Sequence, residues 1–296
     1  MIRGLRRTAR LKLQRALAEV IHDVSVQARQ EQENRHDQVL ADLAATSGEL
    51  RRVLGELEAA RGQIATVRDL LTELEHRARR DLPYALDVRA CAESAAFVVE
   101  HMPTTARRLH PHETLRLALS RVRVDGLALE FGVASGTTLR IIADALPRAY
   151  GFDVFTGLPE AWRTGFPAGE FAQPAIPRVP GAQIVPGLFA DTLPPFLAEH
   201  PGPVAFAHLD ADLYSSTATV LDLISDRLVP GTVLVFDEFF NYPGWQDHEY
   251  RAWTELVDRT GLEFEYLAYT ADDEQVAVRV CATDTATRAA APPAKR

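Results

Sequence analysis

The sequence predicts an α/β protein: a mostly parallel sheet with helices on both faces and an antiparallel last strand, preceded by a long N-terminal helical segment. Three observations lead there. Short apolar runs alternate with helical stretches from residue 127 to residue 259, the pattern of a parallel sheet with crossover helices. Leu127-Ala128-Leu129-Glu130-Phe131-Gly132-Val133-Ala134-Ser135-Gly136 is an apolar run ending in acid-x-Gly-x-x-x-Gly, the form of a nucleotide-binding crossover. Residues 1–80 form a proline-free, charge-rich block with few aromatics.

Within that block Leu43, Leu50, Leu57, Ile64 and Leu71 recur every seven residues. Thr46, Val53, Ala60, Val67 and Leu74 fall three after each. This is the a/d seam of a coiled coil. Gly48, Gly55 and Gly62 weaken the helix, each by roughly 1 kcal/mol relative to Ala. The seam breaks upstream, where Arg29 and His36 would occupy a. The reading is a long, interrupted helix that self-associates, giving a homo-oligomer. Arg3, Arg6, Arg7, Arg10, Lys12 and Arg15 precede the first acid. Such a start can meet an anionic membrane surface, but a solvated basic helix end is the favoured reading.

Pro83 is expected to end the block, so the N-terminal segment is drawn as 1–82 and the main domain as 83–281. Helices Val88–Glu100 and Glu113–Val122 lie in a lead-in over 83–124. The alternating part places strands at 127–132, 149–154, 182–186, 203–210 and 232–237. Helices are placed at 136–146, near Leu193–Glu199, at 215–228 and at 247–259. A Gly/Pro-rich loop spans Gly157 to Pro180. Strands 262–269 and 275–281, joined by the polar turn Ala271–Glu274, form an antiparallel pair. The tail 282–296, rich in Ala, Thr, Pro, Lys and Arg, is expected to be disordered.

Composition narrows the function. The net charge is -9, and once the six leading cations are set apart the remainder carries about -15. So acidic a body is a poor match for nucleic acid, which needs many phosphate-neutralising side chains. Cys91 and Cys281 allow no disulfide framework or zinc spacing. They fit a reducing cytoplasm, and the chain is assigned there. No apolar run reaches 18 residues, which argues against a membrane span.

The chemistry-bearing residues fall at strand ends. Gly132 and Gly136 allow close backbone approach, and the helix after Gly136 offers unpaired N–H groups. Glu130 sits where such folds place an acid under a cofactor. Asp153 ends the next strand, 23 residues on, where an acid reaches ribose hydroxyls. Leu188 and Phe189 are candidates to line an adenine. Asp210 and Asp212 are two apart, so in extended chain they project to one side. Asp237 and Glu238 end the following strand. Neighbouring parallel strands lie about 4.8 Å apart, so Asp210 and Asp237 can share one hard divalent ion, which prefers oxygen ligands. His208 reads as a core residue. Tyr242, Trp245 and His248 follow the fifth strand and can form an acceptor wall, with His248 as an alternative base.

The sequence resembles the macrocin O-methyltransferase family of class I S-adenosylmethionine (SAM) enzymes over about residues 95–281. The matching motifs are Glu130-Phe131-Gly132-Val133, Gly187-Leu188-Phe189-Ala190-Asp191-Thr192-Leu193-Pro194 and Asp210-Ala211-Asp212-Leu213-Tyr214-Ser215-Ser216. In a fourth, Asp237-Glu238-Phe239 stands where the family has Asp-Asp-Tyr. The resemblance implies a Rossmann-like class I methyltransferase sheet and SAM as cofactor. It also implies a magnesium site from Asp210, Asp237 and Glu238, with Asp212 as general base. The acceptor is then a small hydroxylated or glycosylated molecule. A nicotinamide-dependent oxidoreductase would need Gly-x-Gly-x-x-Gly and a hydride-site pair, and neither is evident. A non-catalytic coiled-coil assembly protein with a degenerate domain would have damaged acids, yet all four are present.

Overall fold

The computed structural model describes residues 2–282, with side chains from Arg10 onward. The chain divides into two units, one up to Arg80 and one from Asp81. The first is a single helix, α1 (Ile2–Arg80), 79 residues long and about 120 Å at 1.5 Å per residue. The expected interruption is absent. Gly48, Gly55 and Gly62 have nothing near them, and their propensity cost is spread over a run of good helix formers. Ion pairs one turn apart, Arg52–Glu56 and Arg79–Glu75 among them, add a few tenths of a kcal/mol each. The seam is bare: Leu43, Leu50, Ile64 and Leu71 are each at least 60% exposed. The side chains of Arg3, Arg6 and Arg7 lie outside the described residues, as does the expected tail beyond Ala282. No helix among the described residues is long and apolar enough to cross a membrane.

In the second unit Pro83 begins a helix rather than closing one. It sits in the first turn of α2 (Leu82–His101), where its missing N–H has no partner to lose. The Asp81 carboxylate caps that turn by accepting the Tyr84 N–H at 3.2 Å. A short strand, β1 (Ala106–Arg108), escaped the sequence reading because three residues carry no periodicity. After α3 (Pro111–Arg121) the alternation runs β2 (Leu127–Phe131), α4 (Thr137–Ala145), β3 (Ala149–Asp153), β4 (Ala182–Pro186), α5 (Phe189–Glu199) and β5 (Val204–Leu209). It continues through α6 (Tyr214–Ile224), β6 (Leu228–Phe236), α7 (Glu249–Thr260), β7 (Phe264–Thr270) and β8 (Val276–Val280).

The eight strands lie in the order β1-β7-β8-β6-β5-β2-β3-β4. Only β8 runs against the others, pairing antiparallel with β6 and β7. Leu127, Leu129, Phe131, Leu209, Leu234 and Phe236 bury one face under α2, α5, α6 and α7. Ala128, Phe206, Val233 and Val235 bury the other under α3 and α4. Both faces being covered explains the near-continuous apolar strands.

From β2 the chain winds outward to β3 and β4, then returns to β5 on the other side of β2. The crevice above the carboxyl ends of β2 and β5 is therefore a topological switch point, where open α/β sheets bind ligands. Phe131 is registered with Leu209, and Leu209 with Phe236. The strands thus end flush, and Gly132, Asp210 and Asp237 follow side by side.

Candidate active site

A cavity of about 540 Å³ opens at these strand ends. Gly132, Ala134, Asp153, Leu188, Phe189, Asp210, Asp212 and Glu238 all line it. Most of the residues marked from sequence are therefore brought together. Gly136 stands just behind, opening α4 with a left-handed φ of 79°. The backbone demands glycine at Gly132: its φ is +95°, and a Cβ there would lie 1.7 Å from the Asp210 carbonyl oxygen.

Asp153 does more than end β3. Its Oδ2 accepts the N–H groups of Val133 and Ala134, both at 2.8 Å, and its Oδ1 accepts that of Phe155 at 2.7 Å. A carboxylate has about four acceptor positions, so one remains on Oδ1. The same side chain that faces the cavity thus ties the glycine loop to β3.

Glu130 is turned away from the cavity. It is fully buried beside its registered neighbour His208, whose Nδ1 lies 3.0 Å from the Glu130 carboxylate. The other ring nitrogen, Nε2, lies 3.4 Å from Asp237. His208 is in the core, as expected, but it also bridges the acid below the glycine loop to the acid at the end of β6. Burial works against its protonation. The hydrogen bonds to Asp237 and Glu130 outweigh that and hold its pKa well above the usual value.

Ligand atoms of His208, Asp210 and Asp237 lie within 4.8 Å of one another. Glu238 is outside that group but borders it. Its Oε2 is buried and makes no hydrogen bond. Burial first, and then the charge of Asp237, push both Asp210 and Glu238 well above the usual carboxylate range. Such a set of crowded, under-neutralised oxygens fits a hard divalent cation. His208 has both nitrogens engaged by carboxylates, so the oxygens are the available ligands.

Asp212 reaches the cavity by a different route from the one expected. β5 ends at Leu209, and Asp212 has a left-handed φ of 59°. The extended-chain argument for its direction therefore fails. A tight turn, closed by the Leu213 N–H on the Ala211 carbonyl at 2.6 Å, swings it into place; Asp tolerates that conformation better than most residues. Burial, with the Asp237 charge second, raises its pKa to about 6.

His248 does not line the cavity. It is half-buried, its Nδ1 has no partner, and burial lowers its pKa. Trp245 packs into the core against Phe97, and Tyr242 is buried with its hydroxyl donating to the Glu238 carbonyl at 3.2 Å. The aromatic lining of the cavity comes instead from Trp162, Phe166 and Phe171 of the long loop, with Arg163 among them. Another residue missed from sequence is Glu249, at the start of α7. It is fully buried, accepts the Glu238 N–H at 3.0 Å and the Thr217 hydroxyl at 3.1 Å, and so braces the segment after β6. Burial raises its pKa to about 8. In the sequence it is only the first residue of a helix whose buried face continues with Ala252, Trp253 and Leu256, and that is no signal of function.

Residues 129–239 match the family model of a methyltransferase domain. The sheet order, with one antiparallel strand beside β6, is the Rossmann-like methyltransferase fold. Similar solved structures include CalS11, a calicheamicin methyltransferase, at 27% identity over 58% of this chain and 80% of that one, with a TM-score of 0.46. The O-methyltransferase NovP is 21% identical over 57% of this chain and 79% of its own, with a TM-score of 0.46. An O-methyltransferase from Bacillus cereus in complex with SAH is 16% identical over 72% and 97%, with a TM-score of 0.40. No curated protein matches the chain.

Proposed function

We propose that the protein is a SAM-dependent, magnesium-assisted O-methyltransferase acting on a hydroxyl of a sugar or another small hydroxylated natural product, of the macrocin O-methyltransferase type. The observation that carries this reading is one cavity shared by a glycine loop and by Asp210, Asp212 and Glu238, with Asp237 alongside. In it, residues 83–281 are the catalytic domain and residues 1–82 an assembly segment.

Gly132 and Gly136 let SAM approach the backbone, the free acceptor position of Asp153 takes a ribose hydroxyl, and Leu188 and Phe189 flank the adenine. SAM supplies an electrophilic methyl group. Asp210, Asp237 and Glu238 hold the cation, which when bound makes an acceptor hydroxyl more acidic. Asp212 takes the acceptor proton. Its raised pKa brings it nearer the working pH, which strengthens it as a base. Glu130 and His208 orient Asp237 from below, and Glu249 holds the backbone at Glu238. Trp162, Phe166 and Phe171 offer flat apolar surface to the body of a ring-bearing acceptor. Alignment of the hydroxyl oxygen with the methyl group is then the main task of the cavity.

Calorimetric titration with SAM and with NAD tests the cofactor. SAM should bind and NAD should not. Asp153→Ala should weaken SAM by roughly 1.5–3 kcal/mol, about 10- to 150-fold, because a charged acceptor is lost and the glycine loop is untied. Unchanged affinity in a folded variant would rule out this role for Asp153.

Self-association belongs to the same proposal. The a/d row of α1 is exposed along its length, and a second copy offers the same heptad spacing. Deleting residues 1–80 should lower the mass measured by light scattering while SAM binding persists. Equal subunit numbers for full and truncated chains would show that the seam is no interface.

A further inference from the structure

We propose that Arg163 is the positioning residue that fixes the aromatic wall of the cavity and couples it to the carboxylates after β6. That the wall serves the acceptor rests on the reading above; the coupling itself does not.

The segment Gly157–Pro180 is long and carries no regular secondary structure. Loops of this length inside compact domains are usually functional. It is bonded largely to itself: the Leu158 N–H to the Glu170 carbonyl at 3.0 Å, the Trp162 N–H to the Phe166 carbonyl at 3.0 Å. It nevertheless supplies most of one cavity wall. Elsewhere Ser215 Oγ donates to Glu160 at 2.5 Å, the Gln173 N–H donates to the Phe155 carbonyl at 3.0 Å, and Val179, near the end of the segment, is buried with Val133 and Leu139.

Arg163 makes the central tie. Its Nη1 donates to both Glu274 carboxylate oxygens, at 3.1 and 3.2 Å. Its guanidinium lies 3.9 Å from the Trp162 ring centre and 4.6 Å from that of Tyr242. Arg163 and Glu274 are only 25% and 19% exposed, so the pair is screened far less than a surface bridge. Both partners then reach the residues after β6. Tyr242 donates to the Glu238 carbonyl, and the Glu274 carbonyl accepts the Phe239 N–H at 3.0 Å. One planar cation therefore holds the loop, the β7–β8 turn and the backbone of Glu238 in a single arrangement. Lysine has the charge but not the plane that stacks on Trp162 and Tyr242.

Hydrogen–deuterium exchange on the full chain tests this without any methyl transfer. In Arg163→Met, amides of residues 158–170 and of Phe239 should exchange at least tenfold faster, while those of β2 and β5 stay as in the parent. Glu274→Gln, which keeps the side-chain shape, should show the same regional pattern. Arg163→Lys should fall between parent and Arg163→Met. Should Arg163→Met lose protection throughout the sheet, Glu274→Gln decides. Unchanged exchange at 158–170 in Glu274→Gln, or acceleration spread evenly over the sheet, would overturn the assignment.

Discussion

Replacing Asp210 or Asp237 by alanine is expected to abolish methyl transfer and divalent-ion binding, with SAM affinity largely kept. The two acids end adjacent strands in flush register and share one cluster, whereas the cofactor loop is held by β2, β3 and Asp153. Removing either acid takes away a ligand without touching that loop. Thermal unfolding gives a second readout. The folded pKa values of Asp212 and Glu249, about 6 and about 8, stand above the ordinary carboxylate values. As pH rises, the unfolded chain releases these protons first. The stability they contribute is present at low pH and is lost between about pH 4 and 8. A bound cation offsets that loss, so magnesium should raise Tm more at pH 8 than at pH 6. An ion at 100 times its Kd adds about 2.7 kcal/mol. Asp210→Ala should remove the magnesium response. Full activity in chelator, with no effect of added magnesium, would leave these acids a purely structural role.

Asp212→Asn should lose turnover by about 10²–10⁴, the usual contribution of a general base, while SAM and magnesium still bind. Asparagine preserves the size of the side chain and tolerates the left-handed conformation that Asp212 adopts. The change therefore removes basicity rather than shape. In the parent enzyme kcat should rise with pH along a single acid limb. That limb should lie at or below about 6, because a cation beside Asp237 relieves the repulsion that helps to raise Asp212. Steady-state rates across pH, with the acceptor saturating, measure both effects. If Asp212→Asn turns over within a few-fold of the parent, another group takes the proton.

Much of this was readable from the residues because it depended on local rules. Strand and helix alternation, the glycine requirement at Gly132 and the acids closing β5 and β6 are each set by a few neighbouring positions. The heptad row of α1 belongs here too, though its continuity through Gly48, Gly55 and Gly62 needed the whole helix to outweigh three weak points. Pro83 misled because proline can either stop a helix or open one, and only the cap at Asp81 shows that here it opens α2. β1 and the role of Glu249 had no periodic or motif signal.

What the sequence alone determined is the order of elements from β2 onward, the fold class and the set of polar residues at the strand ends. Chain direction and period-two or period-3.6 patterning are sufficient for those. Tertiary structure decided which way each polar group faces and what it meets. Glu130 meets His208 because β2 and β5 are registered there, not because the two are near in sequence. Asp212 enters the cavity through a backbone turn that no spacing rule describes. Arg163 finds Glu274 across 111 positions. Such partners follow from sheet register and loop packing, which emerge only when the whole chain has buried its core.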